Sequence, residues 1–433
     1  MKVALLGGGI TGLSVAWKLE RKGHEVTVFE AGDRPGGLCR SETIDGYVVD
    51  HAGGHIIFST DAEVLEFMLS VLGPGGAYKS ERRARIFHHD RYVTYPFENG
   101  LGDLSPEHRF DCLKGYVEAW HTRKCGATEP TNFKDWCLWR FGDGICRHFM
   151  WPYNEKIWNV PLTELGTAWV RGRVPDAPVE DVLKAASGIK TVGYGHQAVF
   201  WYPTSGGFES VVKGVLSSLK TTKVRCATPV ESVRRNQGTY EVNGEVFDRV
   251  VSTIPLPLLV KVLDAVPAEV AVATAGLAHT SLTTVFIALR NATVPDLSWV
   301  YFPHPADGPQ NRVTFISNYA PNNAPTGCSS IMAEVTHLGA PSKSTEAIAA
   351  EVVDGLAGRG VLRHEDVAFT RTFSNRFAYI LYESGIESRI ETVRRFASEA
   401  GIDTVGRFGN YSYFNSDRCI RAAFDLAATY PDA

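Results

Sequence analysis

The residues with the clearest chemical potential come first in the chain. The turn Gly7-Gly8-Gly9-Ile10-Thr11-Gly12 follows the apolar run Lys2 to Leu6, and Glu30 closes a second run that begins at Val26. Gly7 lets a strand turn sharply, Gly9 lets backbone approach a pyrophosphate, and Gly12 lets the next helix pack on the sheet. A helix from Thr11 to Lys22 aims free N–H groups and its positive dipole end at the same anion. Glu30 is placed to accept from ribose hydroxyls. A glycine turn alone is also an ordinary strand-to-helix connection. Strand, turn, amphipathic helix, strand and terminal acid in register point to a dinucleotide-binding βαβ unit.

A chain of 433 residues suits two or three packed lobes rather than one core. Its 44% hydrophobic content reads as globular, and a formal net charge of −4 gives no global attraction for nucleic acid or anionic membrane. Any anion site must be local. Eight cysteines are scattered without a CxxC pair or a His-Cys cluster at zinc spacing, so reduced thiols and no metal are expected. The chain opens directly on a strand, and no apolar run reaches the roughly 18–20 residues that span a bilayer. With no signal peptide recognised, a cytoplasmic location is expected.

Further along, a strand from Tyr47 enters the glycine pair Gly53-Gly54 ahead of His55, which suggests backbone pressed close to something flat. His55 is then either a hydrogen-bonded strand residue or a group facing the cofactor. A helix is expected over 61–73, with short strands at Ala84–His88 and Arg91–Tyr95. Aromatic-rich helices fill 105–200, most of their rings being core. A meander of strands is expected at Lys223–Ala227, Val230–Arg234, Gly238–Val242 and Glu245–Ser252. Strands at Leu282–Leu289, Trp299–Phe302, Val313–Tyr319 and Ser330–Val335 suggest an antiparallel sheet.

The run Arg34-Pro35-Gly36-Gly37-Leu38-Cys39-Arg40 extends the opening motif as flavoproteins of the amine-oxidase and UDP-galactopyranose mutase type do. Gly53-Gly54-His55 with Phe58, the stretch Phe149 to Trp158, Trp169 to Val174 and Asn311 to Tyr319 add to it, and the chain resembles the mutases from the glycine turn to Asp417. The resemblance implies an α/β, Rossmann-like FAD-binding fold of the glutathione-reductase type, with an inserted helical lobe and an antiparallel β-sheet substrate lobe. The FAD domain would comprise 1–95, 203–280 and 385–433, the helical lobe 96–202 and the sheet lobe 281–384. For FAD it implies Gly7, Gly9, Thr11, Gly12 and Glu30, with Gly37 and Leu38 beneath the flavin and Arg40 at the flavin or its phosphates. His55 would lie against the ring and Val230 would offer main chain to adenine. Gly406, Arg407, Tyr413 and Asp417 form the second flavin signature. For substrate it implies Tyr95, Phe97, Glu98, Phe149, Asn154 and Trp158 at the nucleotide end, Arg173 and Arg312 at the diphosphate, and the phenols of Tyr319, Tyr379 and Tyr413. Arg171 either shares the work of Arg173 or faces solvent, and an arginine opening a strand, as Arg312 does, is otherwise a solvated edge residue.

The implied activity is that of an isomerase, a mutase interconverting pyranose and furanose forms of an NDP-hexose. Reduced FAD would attack the anomeric carbon through N5, with His55, Arg173 and Arg312 as catalytic residues and NAD(P)H or another reductant supplying the reduced form. The alternative is an FAD-dependent oxidase or desaturase of the amine-oxidase or protoporphyrinogen-oxidase type. One departure concerns the base, because UDP-specific members carry glutamine where this chain has Glu98. A carboxylate only accepts hydrogen bonds, which suits the adjacent N1–H and N2 donors of guanine better than uracil. Glu98 is therefore either a mark of a GDP-sugar, with a 6-deoxyhexose such as rhamnose or fucose favoured over UDP-galactose, or a rim residue facing water. No nucleic-acid or membrane partner is expected, and the oligomeric state stays open, a homodimer included.

Overall fold

The computed structural model describes residues 1–170, 174, 177–189 and 199–433. β1 (Lys2–Leu6), α1 (Ile10–Arg21) and β2 (Glu25–Phe29) form the opening βαβ unit, and both strands are almost wholly buried, as apolar runs in a two-sided parallel sheet must be. β3 (Ser41–Ile44) and β4 (Tyr47–Asp50) make a hairpin, followed by α2 (Ala62–Ser70), β5 (Ala77–Glu81), β6 (Ala84–His88) and β7 (Arg91–Thr94). Asp61 starts α2 by accepting from the Val64 amide at 3.2 Å.

The helical lobe comprises α3 (Pro106–Lys124), α4 (Phe133–Ile145), α5 (Trp151–Trp158) and α6 (Val179–Ala186). Ser105 caps α3 on the His108 amide with Pro106 in its first turn, and Asn132 caps α4 on the Asp135 amide. Trp136, Phe149 and Trp158 lie in this lobe's core, as expected of its aromatics. α3 and α4 approach closely because glycines face each other, and a Cβ on Gly144 would overlap the Asp111 carbonyl. A π-helical turn, Cys146–Met150, carries the chain from α4 into α5.

β8 (Val199–Pro203) and α7 (Glu209–Ser218) lead to β9 (Lys223–Arg225), β10 (Val233–Asn236), β11 (Thr239–Val242), β12 (Glu245–Phe247) and β13 (Arg249–Ser252). Only β10–β12 form the expected meander. β9 and β13 instead join the parallel sheet, whose order is β19-β13-β1-β2-β9, β19 being Ile402–Thr404. The single strand expected over 245–252 breaks at Asp248, whose amide donates to the Lys2 carbonyl and turns β13 alongside β1. α8 (Leu256–Val262) and α9 (Ala268–Ala275) follow.

The third layer is a seven-stranded sheet built on β14 (His279–Leu289), β15 (Trp299–Tyr301), β16 (Arg312–Thr314), β17 (Ser329–Leu338) and β18 (Val367–Ile380), in the order β18-β14-β17-β16-β15-β6-β7. It departs from expectation in three ways. β6 and β7, on the cofactor side of the expected boundary at 95, are hydrogen-bonded into it, and the β15–β6 pair is parallel while the rest are antiparallel. The strand expected over Val313–Tyr319 also stops at Thr314, where the chain enters a 3₁₀ turn at Ile316–Asn318. α10 (Thr345–Gly358), α11 (Ile386–Glu399) and the closing α12 (Ser416–Ala428) complete the chain. Among the described residues no helix is long and apolar enough to cross a membrane. Gly144→Ala should destabilise the helical lobe by about 1–3 kcal/mol through overpacking, read as a lower urea midpoint.

Candidate active site

The glycine turn is shaped for a ligand. Gly7 sits at φ +103° and donates to the Phe29 carbonyl at 2.8 Å, while a Cβ on Gly12 would overlap the Gly7 carbonyl. A Cβ on Gly9 would meet nothing within 4 Å, so open space lies in front of α1. Gly9 caps that helix without a side-chain hydrogen bond, and no acid lies in its first turn. Its leading N–H groups are thus available to an anion. Glu30 accepts from the Gly8 and Gly32 amides at 2.8 Å each, which aligns the carboxylate and leaves lone pairs for ribose hydroxyls.

The second signature closes on the same place. Gly406, at φ +97°, lies so near Thr11 that a Cβ would come within 2.8 Å of its hydroxyl. Asp417, in the first turn of α12, accepts from Ser59 at 3.1 Å. Arg407 donates to the Phe414 and Ala378 carbonyls at 3.0 and 2.9 Å and lies 5.1 Å from the ring centres of both Tyr379 and Tyr413. Arg40 is held by the Arg34 carbonyl and by Asp33 at 3.2 Å. The buried Nε atoms of Arg40 and Arg407 have no partner among the described residues, a donor set that fits an anionic dinucleotide. Gly37 and Leu38 fall in the 3₁₀ turn next to Gly9. Val230 precedes β10 rather than lying in a strand, and Asn243 pins the backbone on either side of it by bonding the Pro229 carbonyl and the Glu231 amide.

His55 sits between two buried carboxylates. Its amide donates to Asp50 at 3.4 Å, and its ring packs on Phe208 with centroids 5.1 Å apart. Nδ1 contacts the Gly53 carbonyl at 2.9 Å, so Nδ1 carries the proton. Burial lowers the imidazole's pKa below its ordinary value against the opposing pull of Asp50, so the ring is neutral and Nε2 is an acceptor. The glycine pair is pressed against side chains. A Cβ on Gly53 would run into the Glu334 carboxylate, and one on Gly54 would come within 2.8 Å of Thr314.

Glu334, fully buried on β17, is the partner of Arg312 on β16. Arg312 donates through Nε at 2.7 Å and Nη2 at 2.5 Å, and is 23% exposed rather than a solvated edge residue. Burial works against its charge, but Glu334 outweighs it and holds the pKa above the usual arginine value. Phenols gather around the pair. Tyr379 reaches Glu334 at 3.5 Å, Tyr153 packs edge-on to Tyr301 at 5.4 Å, and Tyr95 lies 5.1 Å from Tyr301. Burial first, with charged or phenolic neighbours adding, pushes Tyr153, Tyr319 and Tyr379 above the ordinary phenol value, so all three remain donors. Tyr319 is fully buried against Phe200 and Tyr202.

At the expected nucleotide end, Phe97, Phe149 and Tyr153 form a continuous stack with centroids 5.2 and 5.3 Å apart. Glu98 follows Phe97 and is only 6% exposed, so it is not a rim residue facing water. Asn154 donates to the Met150 carbonyl at 2.7 Å and accepts from the Trp158 indole at 3.1 Å. Trp158 in turn lies edge-on to Tyr379 and Tyr413. Arg173 and Arg171 lie outside the described residues.

Sequence reasoning missed three anchors. Asp50 is fully buried and accepts from Ser41, Tyr202 and the Phe208 amide at 2.6, 3.0 and 3.0 Å; Glu334 and Tyr301 are the others. A lone acid inside an apolar strand was the available signal for Glu334, since such an acid must find a partner.

The family model for flavin-containing amine oxidoreductases matches residues 140–382, and one for an NAD(P)-binding Rossmann-like domain matches 6–70. The chain belongs to the flavin-containing amine oxidoreductase family. Its cofactor is FAD, and the cradle around Gly9, Glu30 and Arg407 fits it. A crystal structure of reduced UDP-galactopyranose mutase superposes with a TM-score of 0.90 at 26% identity, over 98% of this chain and 94% of that one. Protoporphyrinogen oxidase of Nicotiana tabacum is 32% identical over 134 residues, 31% of this chain and 25% of that protein. An uncharacterized protein in the nifH2 3′ region of Methanothermococcus thermolithotrophicus is 56% identical over 57 residues, 13% of this chain and 54% of that protein. The chain therefore spans about half the length of one of these curated relatives and a quarter of the other.

Removing one charge of the buried pair should be costly: Glu334→Gln is expected to lose about 3–5 kcal/mol of stability, while Glu334→Gln combined with Arg312→Met recovers most of it in denaturant titrations.

Proposed function

We propose that the protein is a flavin-dependent nucleotide-sugar mutase interconverting the pyranose and furanose forms of an NDP-hexose. The observation that carries this reading is the superposition on UDP-galactopyranose mutase across nearly the whole of both chains. The chemistry required of the bound cofactor, in its reduced form, is a nucleophilic nitrogen for the anomeric carbon. Everything else falls to the chain. Arg312 and the protonated phenols of Tyr153 and Tyr379 offer donors to a diphosphate, and Arg173 is the expected second guanidinium. These groups hold charge as it accumulates on the departing nucleoside diphosphate. His55 presents Nε2 as an acceptor, fixed by its Nδ1–H bond to Gly53. NAD(P)H or another reductant would be needed to charge the cofactor.

The base is proposed to be guanine. Glu98 lies buried beside the Phe97–Phe149–Tyr153 stack, where a carboxylate matches two adjacent N–H donors. A GDP-6-deoxyhexose of the rhamnose or fucose type is the favoured substrate. The second reading, an FAD-dependent oxidase, is supported by the protoporphyrinogen oxidase segment match.

Dithionite-reduced protein incubated with UDP-, GDP- and dTDP-hexoses should yield an isomer of unchanged mass, and oxidised protein none. Reduction of the flavin by a substrate with release of peroxide would establish the oxidase instead. Wild type should bind GDP roughly tenfold or more tighter than UDP, about 1.4 kcal/mol, and Glu98→Gln should narrow the gap; equal or UDP-favouring affinity in wild type refutes the guanine reading.

A further inference from the structure

Outside the flavin site, the fold gathers histidines that are scattered in sequence. His88 and His89 sit at the tip of the β6–β7 hairpin, His108 in the first turn of α3, and His148 in the π-helical turn before α5. One nitrogen from each lies within 4.8 Å of the others. His88 Nε2 and His108 Nδ1 are 3.4 Å apart. Ligand nitrogens about 2.0–2.1 Å from a tetrahedral Zn²⁺ lie about 3.3 Å from one another, so this pair already has the spacing of neighbouring ligands.

For two of the rings the outer nitrogen is engaged as in a ligand. Asp111 Oδ2 accepts from Nε2 of His148 at 3.1 Å, which leaves Nδ1 of that ring with its lone pair. His88 Nδ1 is 3.2 Å from His304 Nε2, which leaves the Nε2 of His88 for the cluster. Such contacts fix the tautomer and orientation of metal-binding imidazoles. His88 is almost wholly buried. His108 and His148 also line a surface cleft with Glu107, Asp111 and Arg147, whose guanidinium is paired with Asp111 at 2.7 Å, so the imidazoles are reachable from solvent. The linear spacing gave no metal signature because the four residues come from three separate elements.

We propose that His88, His89, His108 and His148 bind a divalent transition-metal ion, Zn²⁺ foremost, as a structural clasp between the sheet and helical lobes. Four imidazoles leave no open position, which marks a structural rather than a catalytic site. The clasp would tie the hairpin to the turn that carries Phe149, next to the aromatic stack; His88 lies edge-on to Phe97 at 5.8 Å.

The test is Co²⁺ and Zn²⁺ binding to tag-free, FAD-loaded full-length protein after chelator treatment. The expected result is stoichiometric Co²⁺ uptake with the intense visible absorption of a four-coordinate ion, displaced by Zn²⁺, and a higher thermal midpoint with Zn²⁺. His108→Ala and His148→Ala should each weaken binding roughly tenfold or more, and the double variant should abolish it while keeping its flavin absorbance. Absence of uptake by wild type, a six-coordinate Co²⁺ spectrum, or unchanged binding in the flavin-loaded double variant overturns the proposal.

Discussion

The buried ion pair between Arg312 and Glu334 is the constraint on which the site depends. Glu334 has no contact with water, so its charge has to be met inside the protein. Arg312 meets it from the neighbouring strand, and Gly53 gives up its side chain because the carboxylate occupies that space. The loop carrying His55 therefore rests directly on the pair, with Asp50 gripping it from the other side. Asp50 also receives Tyr202 from β8 and the Phe208 amide ahead of α7. Two buried carboxylates thus bind the cofactor layer and the seven-stranded sheet to one histidine.

The cofactor cradle works by removal rather than addition. Open space before Gly9, the close approach of Gly12 to Gly7 and the seating of Gly406 on Thr11 all follow from missing side chains. They let two chain segments, separated by almost four hundred residues, present main chain and a helix N-terminus to the same ligand. Charged groups among the described residues stand around these glycines, Glu30, Arg40, Arg407 and Asp417 among them.

The parts of this arrangement legible in sequence were those encoded locally. The opening βαβ unit is a contiguous pattern, and α2 and β6 fell close to expectation because the cap of the one and the apolar pattern of each sit within the segment. Pairings between distant strands were not legible. Nothing local shows that β9 and β13 leave the meander for the parallel sheet, or that β6 and β7 extend the other sheet. The same holds for the site: Arg312 was readable from its phrase, but Glu334, which determines its charge, is an acid in another strand. Asn154 and Trp158 were readable as a spacing, whereas their hydrogen bond to each other is a consequence of helical i to i+4 geometry that spacing alone leaves unassigned.

The pairing alters the electrostatic balance of the proposed diphosphate site. A nucleotide-sugar diphosphate brings about two negative charges, and Arg312 with Glu334 sums to none. Arg312 can then contribute direction through its donors, but little net charge. The phenols contribute donors without charge, since burial keeps them protonated. Net positive charge has to come from other guanidinium groups, for which Arg173 is the expected source; Arg407 lies over the rings of Tyr379 and Tyr413. Under the mutase reading, the pair fixes where the diphosphate lies, and arginines outside it determine how strongly the charge is held as the anomeric bond breaks.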